Sequence, residues 1–298
     1  MSETDAGDEG LLTDCVDCLA PAEAFAVVGN ETRLAILEAL WRSPERPVTF
    51  SDLRRRVGMR DSAQFNYHLG KLTGQFVAKT DDGYEFRHAG EKVVRAVLSG
   101  SFNENPTVEP FEVPGECADC GGTLTASYLD EHISVGCRDC GRLHAHAPFP
   151  PGGLTDRSDE EVAHAFDQRV RHLHCLAADG VCPECGGRMG TTLSQETGPL
   201  DVAACSVHRC EQCDHRIRSP VGLSLLDQSD VVGFHATHGV DLRDSPHWTF
   251  EWCVGDRTTV LDDDPWRVRV DIPLDDEELR VTLDDELAVV AVERRRLG

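Results

Sequence analysis

The residues of this 298-residue chain best suited to chemistry are its cysteines, 13 in all. Eight of them form two quartets: Cys117-x-x-Cys120 with Cys137-x-x-Cys140, and Cys182-x-x-Cys185 with Cys210-x-x-Cys213. A Cys-x-x-Cys pair sits on a tight turn whose backbone N–H groups can donate to the sulfurs. Gly121, Gly141 and Gly186 follow three of the pairs and supply the left-handed conformation such turns often need. Two such turns brought together give a closed tetrahedral four-thiolate site suited to zinc. The opening repeats, CADCGGTL at 117–124 and CPECGGRM at 182–189.

Other chemistries of these cysteines can be weighed. A redox pair needs one Cys-x-x-Cys on a βαβ frame, which neither region offers. Iron–sulfur ligation by four thiolates is chemically open. A catalytic zinc needs an open coordination position and a neighbouring base, and four thiolates close the site, so structural zinc and no enzymatic activity are expected. Cys15-x-x-Cys18 has no second pair nearby and reads as unliganded, with redox or intermolecular metal binding as the alternative. Cys175, Cys205 and Cys253 read as buried cysteines. His144, His146, His172 and His174 could join a metal site, but each quartet is complete without them.

The elements that must position the quartets are short strands in the intervening 16 and 24 residues, giving two ribbons. Between them Ser158-Asp-Glu-Glu161 is a capping box that opens a helix to about Ala178, with Val162, Phe166, Val170 and Leu173 as its apolar stripe. Pro148-Phe-Pro-Pro-Gly-Gly before it reads as a linker. Val231 to Gly239 reads as a short helix. From His247 the apolar period falls to two, through Trp248, Phe250 and Trp252, then Val268, Val270 and Ile272, then Val281 and Leu283, with Leu287, Val289 and Ala291 following. That predicts a small antiparallel sheet ending in Arg294-Arg295-Arg296.

The N-terminal third has a different pattern. Pro21 to Trp41 predicts a helical stretch broken near Gly29-Asn30, with Leu34, Leu37 and Trp41 at core spacing. Thr49 predicts the cap of a short helix through Val57, and Gly58 makes a turn. A second helix starts at Asp61. At 100° per residue Phe65, Leu69 and Leu72 share one face, while Ala63, Gln64, Tyr67, Gly70 and Lys71 point the other way. Gln64 has two readings, partner of the Asp61 cap or reader of a base. Phe76-Val77 and Tyr84-Glu85-Phe86 predict strands around the Asp-Asp-Gly turn at 81–83, and a helix over Ala89 to Leu98 follows. Helix, helix-turn-helix, hairpin, helix is the winged-helix order.

Charge first argues against nucleic acid, since the net is −24. Only Lys71, Lys79 and Lys92 are lysine, and 26 of the 29 basic residues are arginine. This acidic, lysine-poor composition is similar to that of salt-in halophilic archaea, where molar salt cuts the Debye length to about 3 Å. Residues 20–100 escape the bias, with 12 basic residues against 10 acidic, while the rest holds 17 against 43. That contrast suggests a phosphate-facing surface. Arg54, Arg55 and Arg56 beside the turn read as phosphate contacts or as a solvated face. His68 reads as a packed or phosphate-touching residue.

The NETRLAILEAL segment, with Asn30, Arg33 and Leu34, followed by a YHLGKL helix and a hairpin, resembles the arsenic-repressor-type (ArsR-like) winged-helix regulators over about 80 residues, haloarchaeal ones especially. The resemblance implies a homodimer paired through its first and last helices, with the 61–73 helix in the major groove of double-stranded DNA. Gln64, Asn66, Tyr67 and Lys71 would then face DNA, joined by Arg60 and Ser62 at the turn, with Lys79 and Arg87 flanking a wing over phosphate. Metal-sensing relatives carry cysteines on the helix before the turn, and SDLRRRV has none.

The expected fold class is therefore α+β and multidomain. An acidic tail occupies 1–19, a winged helix-turn-helix domain 20–100, the first zinc ribbon 111–150, a helix plus the second ribbon 151–245, and a C-terminal antiparallel β region 246–298. No apolar run approaches a membrane span and the acidic N-terminus is unlike a signal peptide, so a cytoplasmic location is expected. The expected function is a DNA-binding transcriptional regulator with structural zinc, and its effector is not specified by the sequence. The alternative is a non-catalytic adaptor of the transcription or RNA machinery, binding protein or RNA through the same surfaces.

Overall fold

The computed structural model describes residues 19–198, 200 and 202–298; Cys15 and Cys18 lie outside them. The chain divides into two compact units, the first ending at Phe102 and the second running from Asn103 to Gly298.

In the first unit α1 (Pro21–Val28) and α2 (Glu31–Trp41) meet at Gly29-Asn30. The break has a side-chain cause. Asn30 accepts from the backbone N–H of Arg33 at 3.2 Å, capping α2, while the Arg33 guanidinium reaches back to the carbonyls of Val27 and Ala26 at the end of α1. One short motif thus satisfies both helix ends. The buried face of α2 is Ile36, Leu37 and Leu40, whereas Leu34 and Trp41 are half-buried. The expected stripe is rotated because α2 packs on α3, α4 and α5 at once.

Helix α3 (Phe50–Val57) is capped by Thr49 and ends at Gly58, whose φ of 75° closes it in the left-handed region. Helix α4 (Ser62–Leu72) buries Phe65, Leu69 and Leu72. Strands β1 (Val77–Lys79) and β2 (Tyr84–Phe86) pair antiparallel, and Val48 adds a bridge to Tyr84. Helix α5 (His88–Leu98) crosses them closely at Gly90, where a Cβ would come within 2.2 Å of the Phe76 carbonyl oxygen.

The second unit begins with a four-stranded antiparallel meander of β3 (Val108–Glu116), β4 (Thr123–Leu129), β5 (His132–Cys137) and β6 (Leu143–Pro148). Its inner face, with Leu124, Ile133 and Val135, packs on Phe149, on Phe166 and on Trp248. Phe166 belongs to α6 (Asp159–Ala178), which opens with the expected Ser158–Glu161 capping box. Phe149 meets Phe166 edge-on at 6.1 Å and Pro151–Gly153 is a 3₁₀ turn, so the supposed linker belongs to the core.

A second meander follows, β7 (Met189–Ser194), β8 (Cys205–Cys210) and β9 (Arg216–Pro220), then α7 (Ser229–Thr237). Residues 247–254 are not the strand their alternation suggested. His247–Thr249 forms a 3₁₀ turn and Glu251–Val254 a short α8. Trp248 enters the first-sheet core and Trp252 another, so the two rings serve different cores rather than one strand face.

The last sheet runs β10 (Thr258–Asp263), β11 (Trp266–Leu274), β12 (Glu277–Leu283) and β13 (Val289–Arg296) in order. Val268, Val270, Ile272, Val281 and Leu283 are fully buried, as the period of two required. Arg294 and Arg295 pair with Glu277 and Glu278 on the neighbouring strand, which leaves them in place as cross-strand partners. Among the described residues no helix is long and apolar enough to cross a membrane.

Candidate metal centres and nucleic-acid interface

Each cysteine quartet is assembled from two turns at the ends of paired strands. In the first, Gly121 and Gly141 donate back to the carbonyls of Cys117 and Cys137 at 2.9 and 3.0 Å. In the second, Gly186 donates to the Cys182 carbonyl at 2.9 Å, and Asp214 to that of Cys210 at 3.2 Å. Asp214 takes a φ of 58°, the role that glycine fills at the other three turns. The sequence pattern missed this fourth member because aspartate only occasionally adopts the left-handed region.

The sulfurs converge. Cys117 and Cys140 are 3.6 Å apart and Cys120 and Cys137 3.5 Å, while Cys182 and Cys213 are 3.7 Å apart and Cys185 and Cys210 3.6 Å. Within each quartet all four sulfurs lie within 4.8 Å of one another, and each group could hold one metal ion. These separations are far beyond the ~2.05 Å of a disulfide. Cys117, Cys137, Cys182 and Cys210 are buried and their four partners exposed.

Electrostatics makes the same demand. The backbone N–H of Cys140, against the opposing effect of burial and with help from the N–H of Asp139, holds Cys137 down to about 7. The N–H of Cys213 does the same for Cys210, also to about 7. At Cys120 the N–H of Gly122 lowers the thiol, but the crowding thiols of Cys137 and Cys140 outweigh it and push it up to about 12. Four sulfurs this close cannot all ionise unless a cation compensates them. The arrangement could hold one metal ion in each quartet.

His144 is a contact the sequence reading left unused. It is buried, and its Nε2 lies 3.3 Å from the Cys117 sulfur. It stands behind the quartet in contact with one of its four sulfurs. Across the first quartet the Arg142 guanidinium pairs with Asp119 at 2.5 Å, tying the two turns together. Of the remaining cysteines Cys205 and Cys253 are buried, but Cys175 is only half-buried.

The residues expected to face DNA lie in the first unit. On α4, Gln64, Asn66 and Lys71 are exposed and Tyr67 is 57% exposed. The Lys71 ammonium sits 5.7 Å from the centre of the Tyr67 ring. Asp61 caps the helix by accepting from the N–H groups of Ala63 and Gln64 at 2.8 and 3.1 Å. The Gln64 side chain takes no part in that cap. His68 is half-buried, its ring edge-on to Tyr67, and its buried Nδ1 has no protein partner.

Arg56, Arg60, Ser62 and Lys79 are exposed. Arg55 is held by Asp52, and Arg54 donates to the Arg60 carbonyl at 3.2 Å. Arg87 donates to the Gly74 carbonyl, bracing the base of the hairpin.

A two-unit chain with a helical first unit and two tetra-thiol clusters in the second is the class that fold and sites define. The chain belongs to the family described as a domain of unknown function (DUF7351), whose profile matches residues 114–289. Residues 21–97 match a second family of the same description (DUF7347). No curated protein and no solved structure matches the chain.

Proposed function

We propose that this protein is a sequence-specific, DNA-binding transcriptional regulator, with a winged helix-turn-helix in residues 20–100 and structural zinc in both quartets. The observation that carries the reading is the two-sided α4. Phe65, Leu69 and Leu72 anchor it while Gln64, Asn66, Tyr67 and Lys71 are exposed, after a helix and a left-handed Gly58 turn. Side chains of these types suit base edges and phosphates. The lysines and arginines of α3, the turn and the hairpin would flank them.

Zinc fits the quartets dimensionally. A tetrahedron with Zn–S bonds of about 2.3 Å has sulfur–sulfur edges of about 3.8 Å, close to the 3.5–3.7 Å separations present. Eight thiolates leave no open position for substrate, so the metal staples the fold. A homodimer is supported by exposed apolar residues on and beyond the outer helices, Phe25 at 75%, Leu98 at 54% and Phe102 at 81%.

The test selects duplex DNA from a random pool with the full chain and footprints the product. Tyr67→Ala and Lys71→Ala should each weaken binding by about tenfold or more, with metal content and circular dichroism unchanged. Unchanged footprints for both variants would refute the assigned face.

A further inference from the structure

The second unit contains a cavity of about 270 Å³ between β6, α6 and β9. Val170, Leu173, Ile217 and Leu223 give it an apolar wall. In a chain of net charge −24 its charged lining is reversed, with three arginines and only Glu184 acidic. Two of the arginines are already engaged: Arg216 with Asp214 at 3.2 Å, and Arg218 with the Glu196 carbonyl.

Arg169 differs. Among the described residues no carboxylate pairs with it, and its buried Nε has no hydrogen-bond partner. A partly buried guanidinium without a counter-charge is costly unless something else supplies the charge.

A second group points the same way. His247, 3% exposed, lines the cavity. Its Nδ1 and backbone N–H are fixed by Asp167 at 2.8 and 2.7 Å, which sets the ring orientation, and among the described residues Nε2 has no hydrogen-bond partner. Asp167 is itself clamped by Arg171, the Nε of which lies 3.0 Å away. An apolar wall with a few convergent, rigidly held polar groups is the make-up of a small-molecule site.

We propose that this cavity binds a small organic carboxylate. Its two oxygens accept from the Arg169 guanidinium, whose fork matches one carboxylate. The apolar body lies among Val170, Leu173, Ile217 and Leu223, with the His247 ring at the side. Binding here is independent of whether residues 20–100 bind DNA, so failure of either leaves the other standing.

Isothermal titration of the full metal-loaded chain with benzoate and with hexanoate, benzamide and inorganic phosphate serving as comparisons, tests the site. One of the two carboxylates should bind, with benzamide and phosphate weaker by about tenfold or more. Arg169→Met, which keeps the stem packing, should cost about tenfold in affinity for that carboxylate. Arg169→Lys, which keeps the charge but not the fork, should also weaken binding with metal content intact. No heat from either carboxylate would overturn the proposal. So would benzamide or phosphate binding equally well, or wild-type affinity in both variants.

Discussion

The two quartets are built alike but rest on unequal cores, and this gives a matched pair of substitutions opposite consequences. Cys140 and Cys213 hold the same place, the exposed last cysteine of each quartet. Beneath the first quartet lie Leu124, Ile133, Val135, Phe166 and Trp248, all at most 1% exposed. Five such side chains contribute on the order of 10 kcal/mol by burial. Beneath the second, the buried cluster beyond its own Cys182 and Cys210 is only Ala177 and Met189, with Ile217 half-buried beside it. Those three contribute about 4 kcal/mol, whereas a structural zinc contributes about 10–16 kcal/mol.

With both quartets holding structural zinc as proposed, the second meander should depend on its metal and the first should not. In Cys213→Ser, hydrogen-exchange mass spectrometry should find protection lost over residues 182–190 and 209–217, with metal content falling from two to one per chain. In Cys140→Ser, metal content should fall equally while β4 and β5 stay largely protected. Equal loss of protection in both variants, or greater loss in the first ribbon, would refute the assignment of stability to metal in one and core in the other.

Further expectations follow from single residues. Asp167→Ala should destabilise the second unit by about 3–5 kcal/mol in denaturant titration, because it removes the counter-charge of buried Arg171, which keeps only the Leu242 and Ser245 carbonyls, and strands the His247 N–H groups; a change under about 1 kcal/mol would contradict the clamp. Gly90→Ala should cost about 1–3 kcal/mol or more in the first unit, since its Cβ would meet the Phe76 carbonyl oxygen at 2.2 Å, and an unchanged thermal midpoint would contradict the close crossing. Burial, with the charges of His208 and His247 behind it, lowers His174 from the ordinary 6.5 to about 3. The folded state therefore keeps it neutral while the unfolded chain takes up a proton, so stability should fall as pH drops from about 6.5 toward about 3, by up to about 1.4 kcal/mol per pH unit. His174→Gln should show a shallower decline, and a slope identical to wild type would contradict the burial.

Much of this was legible in the sequence because the deciding interactions are local. Cys-x-x-Cys turns, the Ser158–Glu161 capping box, the Asn30 break and the alternation of Val268, Val270 and Ile272 are each set by residues a few positions apart. What the sequence hid depends on distant packing. Trp248, Phe250 and Trp252 alternate like a strand, yet Trp248 is drawn to Phe166 and the first sheet while Trp252 joins another core. Phe149 looked like part of a proline-rich linker because its partner Phe166 is 17 positions on. The cavity at Arg169 draws on residues from His132 to Val254, and no spacing rule joins them. His144 beside Cys117 is similar, since the two are brought together only by the successive pairings β3–β4, β4–β5 and β5–β6.

The central claim, that the exposed face of α4 reads duplex DNA, is tested most directly in the cell. Genome-wide crosslinking with the tagged full chain, run in parallel with Tyr67→Ala and Lys71→Ala, should recover discrete DNA sites sharing a palindromic motif, and the two variants should lose them. Signal that follows the polymerase or transcribed RNA, and that persists in both variants, would contradict the claim and assign the chain to the transcription or RNA machinery instead.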